Sequence, residues 1–481
     1  MFEKAVLQGE LLIVEDLTTY PQRSSIEEDI LRSGIRNLVI APLYYQDELI
    51  GMLKLGSPHP GDLHALNAIK LREVLPLFSM AVQRSMEELN TRLQAIIKEQ
   101  CTAIHPAVEW RFRQAALRLV QQRREGAPAE MEPIVFEGVY PMYGVSDIRD
   151  SSLHRNCAIQ EDLADHLRLA RDILLLARSF KPLPILDELA YHIGHYIIRI
   201  ESAIGSGDEI AVLDFLRREV EPFFDHLSTF DSEVQEKIQA YWQSLDPNLR
   251  TLYRRRKDFE ESVTLINEIL SAYLDNEQER AQAMFPHYFE KHKTDGIEYG
   301  IYIGVSLAEQ KGFDALYLHN LRLWQLLVMC GMVREAEALK DRLRVPLDTA
   351  HLILVQHTPL SIRFRFDEKR FDVDGTYNMR YEIVKKRIDK ALIKGTHERL
   401  TQPGKVAIVY SQPKEAQEYR DYIAYLQASG YVTEEVEEVE LEDLQGVPGL
   451  KALRITIDMQ HPWPAQGEAL ATPLTDLHPI A

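Results

Sequence analysis

Along residues 10–57 the chain alternates between apolar bursts and polar breaks. "ELLIVED" (10–16) reads as a strand, "SIEEDILRSG" (25–34) as a helix, and "IRNLVIAPLYYQDELIGMLKLGS" (35–57) as two strands joined at Gln46–Asp47, since β-branched and aromatic residues flank a polar turn. Ser24 or Ser25 suits the helix N-cap. Glu27, Glu28 and Asp29 favour its positive end, and Gly34 suits the left-handed residue that ends it. From Asp62 to His105 the period lengthens. Leu75, Phe78, Val82, Met86, Leu89, Leu93 and Ile96 recur three or four residues apart, which predicts one long helix with an apolar stripe, kinked or interrupted near Pro76.

Residues 106–350 read as mostly helical: "VEWRFRQAALRLVQQRR", a loop at Gly126 and Pro128, then 156–179, 185–204, a Gly205-Ser206-Gly207 break, 210–227, 231–242 and 249–273. No fixed repeat appears, so a multi-helix bundle is expected rather than a solenoid. "YPMYGVSDIRDSSLHRNCAIQ" (140–160) reads as a turn-rich loop opening a helix, through Tyr140, Pro141, Tyr143 and Gly144. From residue 351 the pattern changes again. "HLILVQ" and "LSIRFRF" predict strands, "KRFDVDG" a returning strand after Asp367-Glu368, 377–394 a basic helix, "KVAIVYS" a buried strand, 415–427 a helix and "ALRITID" a last strand.

The expected fold class is therefore multidomain α+β. The expected segments are 1–61, a small α+β unit; 62–105, a long connecting helix; 106–350, a helical bundle; 351–458, a compact α+β domain; and 459–481, a Pro-rich flexible tail.

With 45% hydrophobic and 27% charged residues the 481-residue chain has the makings of ordinary folded domains. A net charge of −19 argues against a general nucleic-acid partner, because phosphate contacts need a dense basic surface. Cys101, Cys157 and Cys330 lie far apart and form no metal-spaced set, which fits a reducing cytoplasm. No run of about 18 apolar residues suggests a membrane span.

"LLIVEDLTTYP" followed by "ILRSGIRNLVIAPLYYQDELIGMLKLGSPHPGDL" resembles the second half of a GAF domain, over about residues 10–85. The resemblance implies a central antiparallel sheet, a small-molecule pocket of unknown ligand, and a helix at 62–105 that passes a signal onward, often through a homodimer. The bare alternative for that helix is packing within its own chain. A full GAF domain has further strands before the point where this chain begins, so the expectation is a fragment, a late start, or a sheet completed by another route. "HPAVEWRF", the 139–163 stretch and "PLSIRFRFDEKRFDVDGTYNMRYEIVKKRIDKA" are similar to a group of large bacterial GAF-containing proteins. That likeness transfers no functional residues.

Candidate chemistry is thin. Arg149, Ser151, Ser152 and Arg155 beside a helix start offer an anion site; the alternative is that the arginines pair with Asp147 and Asp150 and make the stretch a joint. Lys386 and Lys390, with Arg387 and Lys405, offer a site for a phosphorylated substrate. Arg254–Lys257 is expected to be a solvated helix face. His105/Glu109, His192/His195 and His287/Glu290/His292 lack a full metal or acid–base arrangement. Phosphate-loop, GxSxG, GGDEF and cyclic-nucleotide GAF signatures are absent, and the EAL triplets at 337–339 and 468–470 lack the flanking acidic residues that a metal-dependent phosphodiesterase needs. No catalytic residues, metal or cofactor are assigned. The reading is a non-catalytic cytoplasmic signalling protein with no nucleic-acid or membrane partner; an enzyme acting on an anionic substrate, or a scaffold, are its alternatives.

Overall fold

The computed structural model describes residues 11–21, 23–101, 104–124, 130–205, 207–309, 312–374, 384–385, 387–444 and 447–460, with Ala5 and Gly9. It is a multidomain α+β protein. Two units are distinguishable: residues 1–104 with 109–134 and 366–369, and residues 105–108 with 135–365 and 370–481.

In the first unit, β1 (Leu12–Val14), β2 (Asn37–Tyr45) and β3 (Glu48–Ser57) form one antiparallel sheet in the order β1-β2-β3. The β2–β3 turn places Gln46 and Asp47 at φ 49° and 64°, the left-handed pair that a two-residue hairpin requires. Helix α1 (Ser25–Arg32) carries a Ser24–Glu27 capping box and ends before Gly34 at φ 88°. Helix α2 (Ala65–Gln100) runs unbroken through Pro76. Of the kink or interruption expected there, the interruption is absent, because a proline costs the helix one hydrogen bond locally and the remaining turns continue on either side.

The stripe on α2 divides. Leu93 and Ile96 are buried, whereas Phe78 and Met86 are exposed. Gln94 Nε2 donates to Glu109 and Arg113 Nη2 to Asn90, both at 2.9 Å, tying the end of α2 to α3 (Pro106–Arg124).

The second unit is built on a nine-stranded sheet, in the order β11-β12-β10-β7-β4-β6-β5 with β8 and β9 attached through β4. Its strands are β4 (Val135–Ile148), β5 (Tyr288–Thr294), β6 (Gly296–Gly304), β7 (Thr349–Leu354), β8 (Leu360–Arg365), β9 (Arg370–Asp374), β10 (Lys405–Tyr410), β11 (Val432–Glu440) and β12 (Lys451–Ile457). The run from β4 through β7 has β-α-β-β-α-β connectivity with neighbours in the order β7-β4-β6-β5, the ferredoxin-like arrangement. Only the β7–β10 pair is parallel among the described ladders.

Between β4 and β5 come α4 (Ser151–Phe180), α5 (Pro184–Ser202), α6 (Asp208–Phe215) continued by irregular turns to Leu227, α7 (Ser232–Ser244) and α8 (Arg255–Met284). Helices α9 (Ala315–Leu339) and α10 (Pro413–Ala428) complete the layer. Two cores result. One joins a face of the sheet to α8, α9 and α10, through Ile301, Trp324, Met329, Ile408 and Tyr419 among others. The other joins the C-terminal part of α4 to α5, α6 and α7.

The structure thus departs from the expected helical bundle, because β4, β5 and β6 lie inside 106–350 and share a sheet with strands beyond 351. The 140–160 loop is also corrected: Tyr140, Pro141, Tyr143 and Gly144 lie within β4. Pro141 falls where β4 leaves β8 at Val139 and has yet to meet β7 at Tyr143, a gap in one ladder that tolerates a missing N–H. Gly144 provides room, since a Cβ there would stand 2.4 Å from the Tyr299 ring. Residues 377–383 and 386 of the expected 377–394 helix lie outside the described residues; of the rest, 384–385 are helical, Ile388–Lys390 form a short 3-10 turn, and Leu392 and Ile393 make isolated β-bridges instead of helix. The loop at Gly126 and Pro128 and residues 461–481 also lie outside them.

Candidate functional site

Side chains alternate across a strand, so the residues of β4 and β6 that miss the core point to the other face. There Tyr143, Val145 and Asp147 of β4 meet Glu290, His292 and Thr294 of β5, Glu298 and Tyr302 of β6, and Arg370, Phe371 and Asp372 of β9 around a cleft of about 450 Å³. Lys385 also lines it, carried beside two buried anchors, Val384 and Ile388.

Glu290 folds over Gly300, which sits opposite it in the β5–β6 register. Its carboxylate accepts from the Tyr288 and Tyr302 hydroxyls, both at the long distance of 3.4 Å. Burial raises the Glu290 pKa above the ordinary carboxylate value, with Lys385 and His292 opposing. The Lys385 ammonium lies 3.6 Å from Glu298 and 3.9 Å from Glu290, and 5.1 Å from the centre of the Tyr143 ring, within cation–π range. Tyr288 packs edge-on to Phe371 at 4.9 Å and tilted against Tyr302 at 5.8 Å. The cleft therefore combines carboxylates, one central ammonium and aromatic walls.

The residues singled out from sequence are placed elsewhere. Arg155 donates to both oxygens of Asp295 at 2.7 and 2.9 Å, and Ser151 Oγ donates to the same carboxylate at 2.7 Å. Arg149 donates to Gln402 at 2.5 Å and lies 3.5 Å from Asp150. Ser152 is exposed. These contacts tie the start of α4 to the β5–β6 turn and to residue 402. Asp295 takes the partner role expected of Asp147, while Asp147 lines the cleft. Lys390 is exposed and Lys386 lies outside the described residues; Lys405 is paired with Glu437.

The Arg254–Lys257 run pairs with acidic neighbours, including Arg255 with Glu161 at 2.9 Å and Arg256 with Glu260 at 2.9 Å. His192 pairs with Glu188 at 2.9 Å, His195 packs on Tyr191, and His287 is buried against the Phe285 carbonyl. His105 Nδ1 accepts from the Ala107 amide at 3.2 Å. No group of three or more His, Cys, Asp or Glu side chains suited to a metal occurs among the described residues.

Sequence reasoning missed the cleft because β4, β5 and β6, which line most of it, were not recognised as strands; only β9 was. The signal was present in "GIEYGIYIG", where Ile297, Tyr299, Ile301 and Ile303 alternate with Glu298 and Tyr302.

No family model matches the chain, and no curated protein does. Among solved structures it is similar to a crystal structure of the guanylyl cyclase Cya2, at 14% identity, over 42% of this chain and 84% of that one, with a TM-score of 0.24. A score at that level gives no basis for transferring a fold or an activity. No helix among the described residues is long and apolar enough to cross a membrane.

Proposed function

We propose that the chain is a cytoplasmic, ligand-responsive regulatory protein without chemistry of its own, holding a small molecule in the open-face cleft of the large sheet. The observation that carries this reading is the cleft itself, in which the polar groups converge on Lys385 over aromatic rings rather than on a nucleophile. A few placed polar groups among aromatic walls are what small-molecule recognition uses. The free cysteines, Cys157 among them exposed, fit a reducing compartment.

The N-terminal unit enters this proposal as a GAF-like sensing segment, with α2 as a homodimer surface. Exposed Leu77, Phe78 and Met86 support that role. Of the basic residues behind the enzyme alternative, Lys405 already faces Glu437.

Hydrogen exchange of the full chain against fractionated small-molecule extracts tests the ligand reading. Slowed exchange across β5 and β6 is expected with at least one fraction, and none with any fraction would refute it. Light scattering tests the dimer: wild type should be dimeric and Leu77→Glu/Phe78→Glu monomeric, while a monomeric wild type would refute that part.

A further inference from the structure

The groups seated in the cleft indicate what kind of guest fits. Among the described residues, Asp147, Glu290, Glu298 and Asp372 line it against two permanent cations, Lys385 and Arg370. Such a balance repels an anionic guest and favours a cationic one. The aromatic faces add to the preference, and Tyr143 already lies beneath an ammonium.

The internal ammonium is poorly bonded. At 3.6 and 3.9 Å from Glu298 and Glu290, Lys385 stands outside the range of about 2.7–2.9 Å over which an ammonium donates a strong hydrogen bond to a carboxylate. Glu290, with a side chain only 16% exposed, is otherwise served by two tyrosine hydroxyls at 3.4 Å. A buried carboxylate with such long donors is short of a partner. A free ammonium, unconstrained by the backbone that holds Lys385, can approach both carboxylates to bonding distance.

We propose that the cleft is a recognition site for a small alkylammonium ligand, whose ammonium takes the place of the Lys385 ammonium between Glu290 and Glu298. The inference rests on the reading of the cleft as a ligand site and names its ligand class. Displacement supplies the response: Lys385 leaves the cleft, and the segment it anchors loses a contact. The ligand then binds the released state better than the seated one, which is the condition for shifting a population.

The test is calorimetric titration of the full chain with 1,4-diaminobutane, with 1,4-butanediol as the uncharged control. Saturable binding of the diamine and none of the diol are expected. Lys385→Met removes the internal competitor and should tighten binding about tenfold; Glu298→Gln should weaken it by a similar factor. Circular dichroism checks the fold of each variant. Hydrogen exchange on wild type supplies a readout free of substitution, with amides 384–388 exchanging faster when the diamine is bound. Failure of the diamine to bind both wild type and Lys385→Met, or binding indifferent to Lys385→Met together with unchanged 384–388 exchange, would overturn the proposal. If other small molecules protect β5 and β6 while the diamine does not, the amine assignment falls and the ligand reading stands; if nothing protects them, both fall.

Discussion

Asp162 is a buried carboxylate on α4 that caps a helix begun 93 residues further along. One oxygen accepts from the Arg255 amide at 3.1 Å, and the other from Arg254 at 3.1 Å and Arg256 at 3.0 Å. These are amides that the first turn of α8 leaves without helical partners, and the negative charge lies at the positive end of a 30-residue helix. Asp162→Ala removes all three bonds. A buried donor left unpaired costs about 1–3 kcal/mol, but Arg254 and Arg255 are exposed residues and water can reach part of the turn. The expected net loss is about 2–3 kcal/mol, above an ordinary side-chain cap. Asp162→Asn keeps an acceptor without the charge and should lose about 1 kcal/mol. The assay is urea unfolding followed by far-ultraviolet dichroism, with Glu161→Ala as control. Glu161 pairs with Arg255 across the surface and should shift stability by less than about 0.5 kcal/mol. An Asp162→Ala midpoint indistinguishable from that control would refute the capping argument.

Gly144→Ala places a methyl 2.4 Å from the Tyr299 ring and should cost roughly 1–3 kcal/mol by overpacking; a melting temperature equal to wild type would show that the sheet yields there. Glu418→Ala leaves the buried Arg322 guanidinium without the carboxylate it meets at 2.7 Å, a loss of about 3–5 kcal/mol, read by the same unfolding assay and contradicted by a change below about 1 kcal/mol. Burial pushes His166 and His287 down to about 4 and His351 to about 3, so all three are neutral in the fold while the unfolded chain takes up protons from about pH 6.5. The unfolded state then binds more protons, so this contribution to stability is complete above pH 6.5 and is lost as pH falls toward 4, at up to about 1.4 kcal/mol per histidine per pH unit. His166→Gln should flatten the decline between pH 6.5 and 5; a slope identical to wild type would count His166 out.

Local chemistry made the first unit legible. The Gln46–Asp47 turn, the Ser24–Glu27 box and the α2 periodicity each carry their signal within a few residues, and each element formed where its pattern lies. In the second unit the deciding contacts are distant. Pro141 and Gly144 look like turn residues until the gap between β8 and β7 and the Tyr299 ring are present. β11, "VTEEVEEVE", is exposed or half-buried from Thr433 to Glu440, and its acidic residues mask its pairing with β12. The cleft was hard to read for the same reason: Asp147, Glu290 and Lys385 come from three separate stretches, and only the sheet order β4-β6-β5 brings the first two to one face. Arg149 and Arg155 could be read either as an anion site or as a joint, and their partners Gln402 and Asp295 lie too far along the chain for spacing to reveal.

The place of β4 in the middle of the large sheet has a consequence for biogenesis. This strand is synthesised first among the nine, yet β6 lies about 150 residues and β7 about 200 residues downstream of it, and β7 in turn must wait for β10. During translation the newborn strand has no lateral partners, while the intervening helices α5 to α7 complete their neighbourly contacts early. Long-separation pairing of this kind is slow to form and exposed to misassociation. A ribosome stalled near residue 300 should therefore display a folded helical knob on a chain whose sheet is still open, a state that limited proteolysis of arrested nascent chains would reveal as protection confined to residues 163–244.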